Sequence, residues 1–225
     1  MAQQAHFSPD LFRFLAGVKR HNTRDWFQAH KAQYERDVRG PALRFIADFG
    51  VRLQRVAPRF VAIPKAVGGS LFRIHRDVRF ATDKRPYKTH VGIYFPHRQA
   101  GRDIHAPVFY LHLEPAGCFA GAGLWHPDAP ALRAVRDAIV SRPAEWRRVL
   151  KAAPLSDEGR LVRPPRGDDP EHPFVEDLKR KDFLTLVTLS EPRVCRAGFI
   201  DDFAEVCGGM TPLLAFLTKA VGLPY

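Results

Sequence analysis

The sequence predicts an α+β fold in which an antiparallel meander sheet carries helices on one face, with helical segments at both ends of the chain. Three observations predict it. Apolar residues recur at helical spacing through the first quarter, the period changes to two from Leu71 onward, and the connections between the later apolar runs are too short for parallel crossovers. Helices followed by strands, rather than an alternation of the two, favour a sheet covered on one side.

The first helix starts at Ser8-Pro9-Asp10, with a capping hydroxyl, a proline at the first helical position and an acid in the first turn. Leu11, Phe12, Phe14, Leu15 and Val18 supply its buried stripe. Thr23 caps a second helix carrying Trp26, Phe27, His30 and Tyr34, and Gly40-Pro41 is expected to break it before a third helix from Leu43 to Val56. The helical part therefore covers about 8–57. Alternating runs LFRIHRDVRF, THVGIYF, VFYLHLEP and CFAGAGLW read as four consecutive antiparallel strands, which with FLTLVTLS place the sheet core at about 70–125 and 183–190. Helices starting at Asp128 and Ser141 follow, then an irregular loop at about 154–173 with five prolines, long enough to be a lid. Two terminal helices, about 198–207 and 211–221, are expected around Gly208-Gly209. No composition shift or repeat divides the chain, so residues 1–225 read as a single domain.

Lys and Arg number 35 against 24 Asp and Glu, a net charge of +11. Such a surplus attracts nucleic acid. The basic residues are nevertheless scattered, and arginine-rich, alanine-rich composition is also what GC-rich coding produces. Three cysteines, Cys118, Cys195 and Cys207, form no C-x-x-C pair, which indicates neither a disulfide framework nor a thiolate zinc site and makes the cytoplasm the expected location. No apolar run is long enough to span a membrane and the N-terminus lacks a signal-peptide pattern, so no membrane association is expected.

The densest information lies in residues 71–90. As a strand, this segment places Arg73, His75, Asp77 and Arg79 on one face and Phe72, Ile74, Val78 and Phe80 on the other, with Arg76 among the apolar residues. Arg76 then needs a carboxylate or a cavity, because an unpaired buried guanidinium is very costly. The turn adds Lys84, Arg85, Tyr87 and Lys88. The following strands add His90, Tyr94, Tyr110 and His112, expected on one side of the sheet.

The run Arg73-x-x-Arg76-Asp77-x-Arg79-Phe80-x-x-Asp83-Lys84-x-Pro86-Tyr87-Lys88-Thr89 resembles the signature of a bacterial and fungal family of uncharacterised proteins, domain of unknown function twenty-four sixty-one. The opening F-x-x-x-x-F-x-F-L, Asn22, Asp25-Trp26-Phe27, Lys31, Tyr34, Gly121-x-Gly123-x-Trp125-x-Pro127, Asp169-x-x-His172-Pro173 and Leu178-Lys179-x-Lys181 extend the resemblance over nearly the whole chain. Asp168 departs from it, standing where relatives are expected to carry an aromatic. The resemblance implies membership and no activity.

From the residues themselves, Arg73, Arg76, Arg79, Lys84, Tyr87 and Lys88 form a candidate pocket for a small anionic, phosphate-bearing ligand, since guanidiniums offer bidentate donors and lysine a mobile charge. Six cations against two acids in residues 73–88 carry this reading. The pocket is catalytic if His75, Asp77 or His90 acts as acid or base. Two alternatives stand beside it: a nucleic-acid-binding module without chemistry, and an ion-pair network in which Asp77, Asp83 and Glu114 absorb the arginines. The spacing of the five histidines around the sheet matches no metal motif, and no Rossmann or Walker pattern occurs, so neither a metal nor a cofactor is expected. Gly121 and Gly123 are expected to permit a bulge or close backbone approach.

Overall fold

The structure, a computed structural model, describes residues 5–225 apart from Arg102, Ile104 and Glu158; residues 1–4, part of the stretch on which the absence of a leader was read, lie outside it, as do those three positions of the expected sheet core and loop. Helix α1 (Pro9–Arg20) opens as its sequence dictates, with Ser8 Oγ accepting the Asp10 amide and Phe12, Phe14, Leu15 and Val18 buried. Thr23 caps α2 (Arg24–Ala29), which passes through α3 (Lys31–Tyr34) and a π-helical turn (Glu35–Arg39) into α4 (Gly40–Val56). Gly40-Pro41 does not break the chain as expected. Pro41 occupies the first turn of α4, where its missing N–H costs nothing, and Gly40 donates to the Glu35 carbonyl across the wider turn.

Four strands, β1 (Val91–Pro96), β2 (Val108–Leu113), β3 (Phe119–Leu124) and β4 (Phe183–Thr188), form one antiparallel sheet in the order β1-β2-β3-β4. Tyr94 pairs with Tyr110, Tyr110 with Gly121 and Gly121 with Leu186, which fixes the faces of all four strands. Val91, Ile93, Phe95, Phe109, Leu111, Leu113 and Ala120 enter one core with α1, α4 and the first half of α9 (Phe199–Ala220). Leu124 and Phe183 enter a second cluster with α5 (Ala129–Ser141), α6 (Pro143–Ala152), α7 (Val175–Leu178) and the second half of α9. A short helix, α8 (Glu191–Val194), links β4 to α9. Helices thus cover one face of the sheet, and no helix among the described residues is long and apolar enough to cross a membrane.

Two further expectations are corrected. Helix α9 is continuous where two terminal helices were expected: Pro212 cannot donate to the Gly208 carbonyl, but the Thr211 hydroxyl does so at 2.7 Å, and ten buried side chains hold the helix straight through the glycine pair. Residues 71–80 are not a strand of the meander. Leu71 and His75 make only isolated bridges, to Ile93 and Tyr87. The segment is a two-armed strap on the outer edge of β1. Phe72 N donates to the Gly92 carbonyl, Tyr94 N to Ser70, Lys88 N to Ile74 and Arg76 N to Pro86. Asp77 and Asp83 each accept the amide two residues on, from Arg79 and Arg85, and these side-chain-closed turns interrupt any longer ladder.

Candidate binding cleft

Side chains alternate along a strand, so the face opposite the helices receives His90 and Tyr94 from β1 and its lead-in, Val108, Tyr110 and His112 from β2, Phe119, Gly121 and Gly123 from β3, and Leu184 and Leu186 from β4. With Phe72 and Lys88 of the strap and Trp125 beyond β3, they enclose a cleft of about 570 Å³. This is the size range of small-molecule sites. Glycines keep its floor low. A Cβ on Gly92 would stand 2.6 Å from the Tyr110 hydroxyl and 2.9 Å from the Phe72 ring. One on Gly123, whose φ is +140°, would strike the Phe183 carbonyl at 1.9 Å, the close approach expected of this G-x-G.

The floor is aromatic and apolar: Phe72 stacks on Tyr94 at 4.7 Å between centroids, and Phe119 on His112 at 4.7 Å. Polarity collects at one end. The Tyr110 hydroxyl lies 3.1 Å from His112 Nδ1, His112 Nε2 lies 3.3 Å from Glu114 Oε2, and the Thr89 hydroxyl donates to Glu114 Oε1 at 2.9 Å. His90 stacks on His112 at 4.4 Å. Burial, with the charge of Lys88 adding, pushes His90 down to about 4, and burial lowers His112 also, against the opposing pull of Glu114. Burial raises Tyr110 well above the usual phenol range and keeps it protonated.

Lys88 carries the cation of this end, its ammonium 5.0 Å from the centre of the Phe72 ring. Burial lowers its pKa, and the nearby Arg73 guanidinium adds to the effect. No carboxylate pairs with Lys88 or Arg73 among the described residues.

The residues singled out from the sequence are thereby divided. Lys88 lines the cleft, with the Arg73 guanidinium near enough to act on its ammonium but outside the lining, and His90, Tyr94, Tyr110 and His112 share one sheet face as expected. Arg76 pairs with Asp83 at 2.8 Å, Arg85 with the same carboxylate at 2.7 Å, and Arg79 with Asp77 at 2.7 Å. The Arg79 guanidinium holds Asp77 down at about 2, and Arg85, with Arg76, holds Asp83 well below the carboxylate range. The Lys84 ammonium donates to the Val78 carbonyl. The Tyr87 ring is buried against Phe27 at 4.2 Å, while its backbone exchanges two hydrogen bonds with the Asn22 side chain. His75, Arg76 and Tyr87 instead meet Arg24, Gln28 and Pro86 around a second hollow of about 330 Å³.

Among the described residues of the proline-rich loop none lines the cleft, so these do not lie over the sheet as a lid. Asp168, at the position of the departure noted above, is buried and pairs with Arg133 of α5 at 2.7 Å, and Arg160 bridges to Arg180, so the loop is fastened on the side of α5 and α7. Glu114 is the polar residue that motif reading missed as part of this site. Its signal is faint: a carboxylate two residues after His112, on the same face as a strand runs, with His90 supplied from the neighbouring strand.

A family model described as "Conserved hypothetical protein (DUF2461)" matches residues 10–216. No curated protein and no solved structure matches the chain.

Proposed function

We propose that this chain, which belongs to the conserved hypothetical protein family DUF2461 through that match over residues 10–216, binds a small molecule with an aromatic or apolar body and an anionic group, such as a phosphate, in the cleft on the open sheet face. The supporting observation is Lys88, a cation without a carboxylate partner among the described residues, at the polar end of an otherwise apolar cleft. An apolar floor contributes affinity through burial and a charged donor fixes orientation. Arg73 adds positive potential at the same end. The three cysteines are free, which supports a reducing, cytoplasmic setting for this activity.

Fluorescence titration with an anilinonaphthalene sulfonate, an aromatic anion, tests the reading on folded protein. One saturable site is expected, weakened about tenfold or more by Lys88→Met, since a charge-assisted contact is worth about 1.5–3 kcal/mol. Arg79→Met, which loses an exposed ion pair and a contact with the exposed Phe80 ring, both outside the cleft, leaves it unchanged. A second reading rests on the hollow of Arg24, His75 and Arg76, where Arg24 has no ion pair among the described residues. It predicts the reverse pattern, loss on Arg24→Met and indifference to Lys88→Met. A steep salt dependence with oligonucleotides in place of the dye marks a phosphate-tracking nucleic-acid surface.

A further inference from the structure

We propose that His90, His112 and Glu114 form a site for a divalent transition-metal ion, zinc in the first instance, with an open coordination position directed into the cleft. One ligand atom from each of the three residues lies within 4.8 Å of the other two. Two imidazoles and one carboxylate are the donors of zinc and its first-row neighbours rather than of calcium or magnesium, which take oxygen ligands.

Metal–ligand bonds of about 2.0–2.2 Å put tetrahedral ligands roughly 3.4 Å apart. His112 Nε2 and Glu114 Oε2 are 3.3 Å apart, a long hydrogen bond and a fitting separation for two ligands of one ion. His90 closes the set by a small ring movement. Its nitrogens have no protein hydrogen-bond partner among the described residues, and its ring already lies over His112.

The outer contacts that orient ligands are present as well. The Tyr110 hydroxyl at His112 Nδ1 can accept that nitrogen's proton and leave Nε2 for the ion, and the Thr89 hydroxyl occupies Glu114 Oε1 and leaves Oε2. Three protein ligands leave the fourth position free, as in catalytic rather than structural zinc sites. Because His90 and His112 line the cleft, that position faces it. Lys88 is the cation whose charge reaches His90 at this corner, and it opposes the ion until an anionic group bridges the two. The inference deepens the reading of the cleft and rests on it only for the identity of that bridging group.

The test is calorimetric titration of chelator-treated protein with Zn²⁺ alone, together with the visible spectrum of the Co²⁺ form. One equivalent is expected. His112→Ala and Glu114→Gln each weaken it by a hundredfold or more, and Tyr110→Phe by about tenfold, as removal of an orienting contact does. The Cys118→Ser, Cys195→Ser double variant binds unchanged. Absence of binding to folded wild-type protein overturns the proposal, as does affinity unaltered in Glu114→Gln. The cobalt spectrum needs no variant: nitrogen and oxygen ligation is expected, and a thiolate charge-transfer band contradicts it. Dye binding to the chelated protein reads the cleft separately, so either claim can fail without the other.

Discussion

The Tyr110 hydroxyl stands 3.1 Å from His112 Nδ1, two residues along the same face of β2, and so joins the aromatic floor of the cleft to its polar end. The neighbouring backbone permits this: Gly92, opposite His112 on β1, offers no side chain to obstruct the phenol. A ring nitrogen thus acquires a fixed partner inside an apolar site, which selects its tautomer.

Tyr110→Phe removes that partner without emptying the floor. It should cost about 1 kcal/mol, the net value of one partly buried hydrogen bond. Nitrogen-15 spectra of the imidazoles should show the His112 tautomers redistributing. An unchanged spectrum means the bond is not formed in solution.

Gly92→Val places methyl groups where Tyr110 and Phe72 already sit. Forcing these rings aside should cost about 1–3 kcal/mol of stability, measured by denaturant unfolding. The same change narrows the cleft, so dye affinity should fall by about tenfold or more while the far-ultraviolet circular dichroism stays that of the wild type.

Asp177→Ala tests what secures the loop and α7. Asp177 accepts from Trp146 Nε1 and from Arg180 Nε, each at 2.9 Å, and all three residues are buried. Arg180 also donates to the Ser156 carbonyl at 2.7 Å, and Arg136 holds the Leu178 carbonyl at 2.7 Å. Leaving the Arg180 charge uncompensated should cost about 3–5 kcal/mol. Joint replacement of Asp177 and Arg180 by apolar residues should recover part of that loss; full additivity of the single costs contradicts the pairing.

Tyr34 supplies a pH dependence. Burial among Phe14, Phe27 and the helices pushes its phenol up to about 12 from an ordinary value of 10.0. The unfolded chain releases this proton near 10 and the folded chain near 12. Between those values the folded state holds the extra proton, so stability falls as pH rises through the window and is complete below it. A Tyr34→Phe variant should lose less stability than the wild type from pH 10 to pH 12, by about 2 kcal/mol at most. Parallel alkaline profiles would show that Tyr34 ionises freely.

Much of the fold was legible because local signals agreed with packing. Ser8, Thr23 and Asp128 cap helices as their positions indicate, and strict alternation placed His90, Tyr94, Tyr110 and His112 on one face. The strap was misread because its alternation is genuine but its hydrogen bonds are not: Asp77 and Asp83 capture the amides a ladder needs, and Phe80 ends almost fully exposed. Gly208-Gly209 and Gly40-Pro41 misled for the opposite reason. Buried side chains carry the last helix through the glycine pair, with Thr211 bonding the Gly208 carbonyl that Pro212 cannot, and Pro41 sits in the first turn of a helix, where its missing N–H is not required.

The site was half legible. Charge counting drew attention to the arginines, yet counting cannot show that Asp83 receives both Arg76 and Arg85 while Lys88 receives no carboxylate among the described residues. The cleft itself is made by small residues and by a register, Tyr110 opposite Gly121 and Tyr94, that composition does not carry.

The most direct measurement is an amide and methyl NMR titration of the protein with the naphthalene sulfonate. Perturbations confined to Gly92, Tyr94, Tyr110, Gly121, Leu184 and Leu186, with the Lys88 side chain shifted, are the predicted result. Perturbations centred on Arg24, His75 and Arg76, or scattered over the basic surface, would contradict the account.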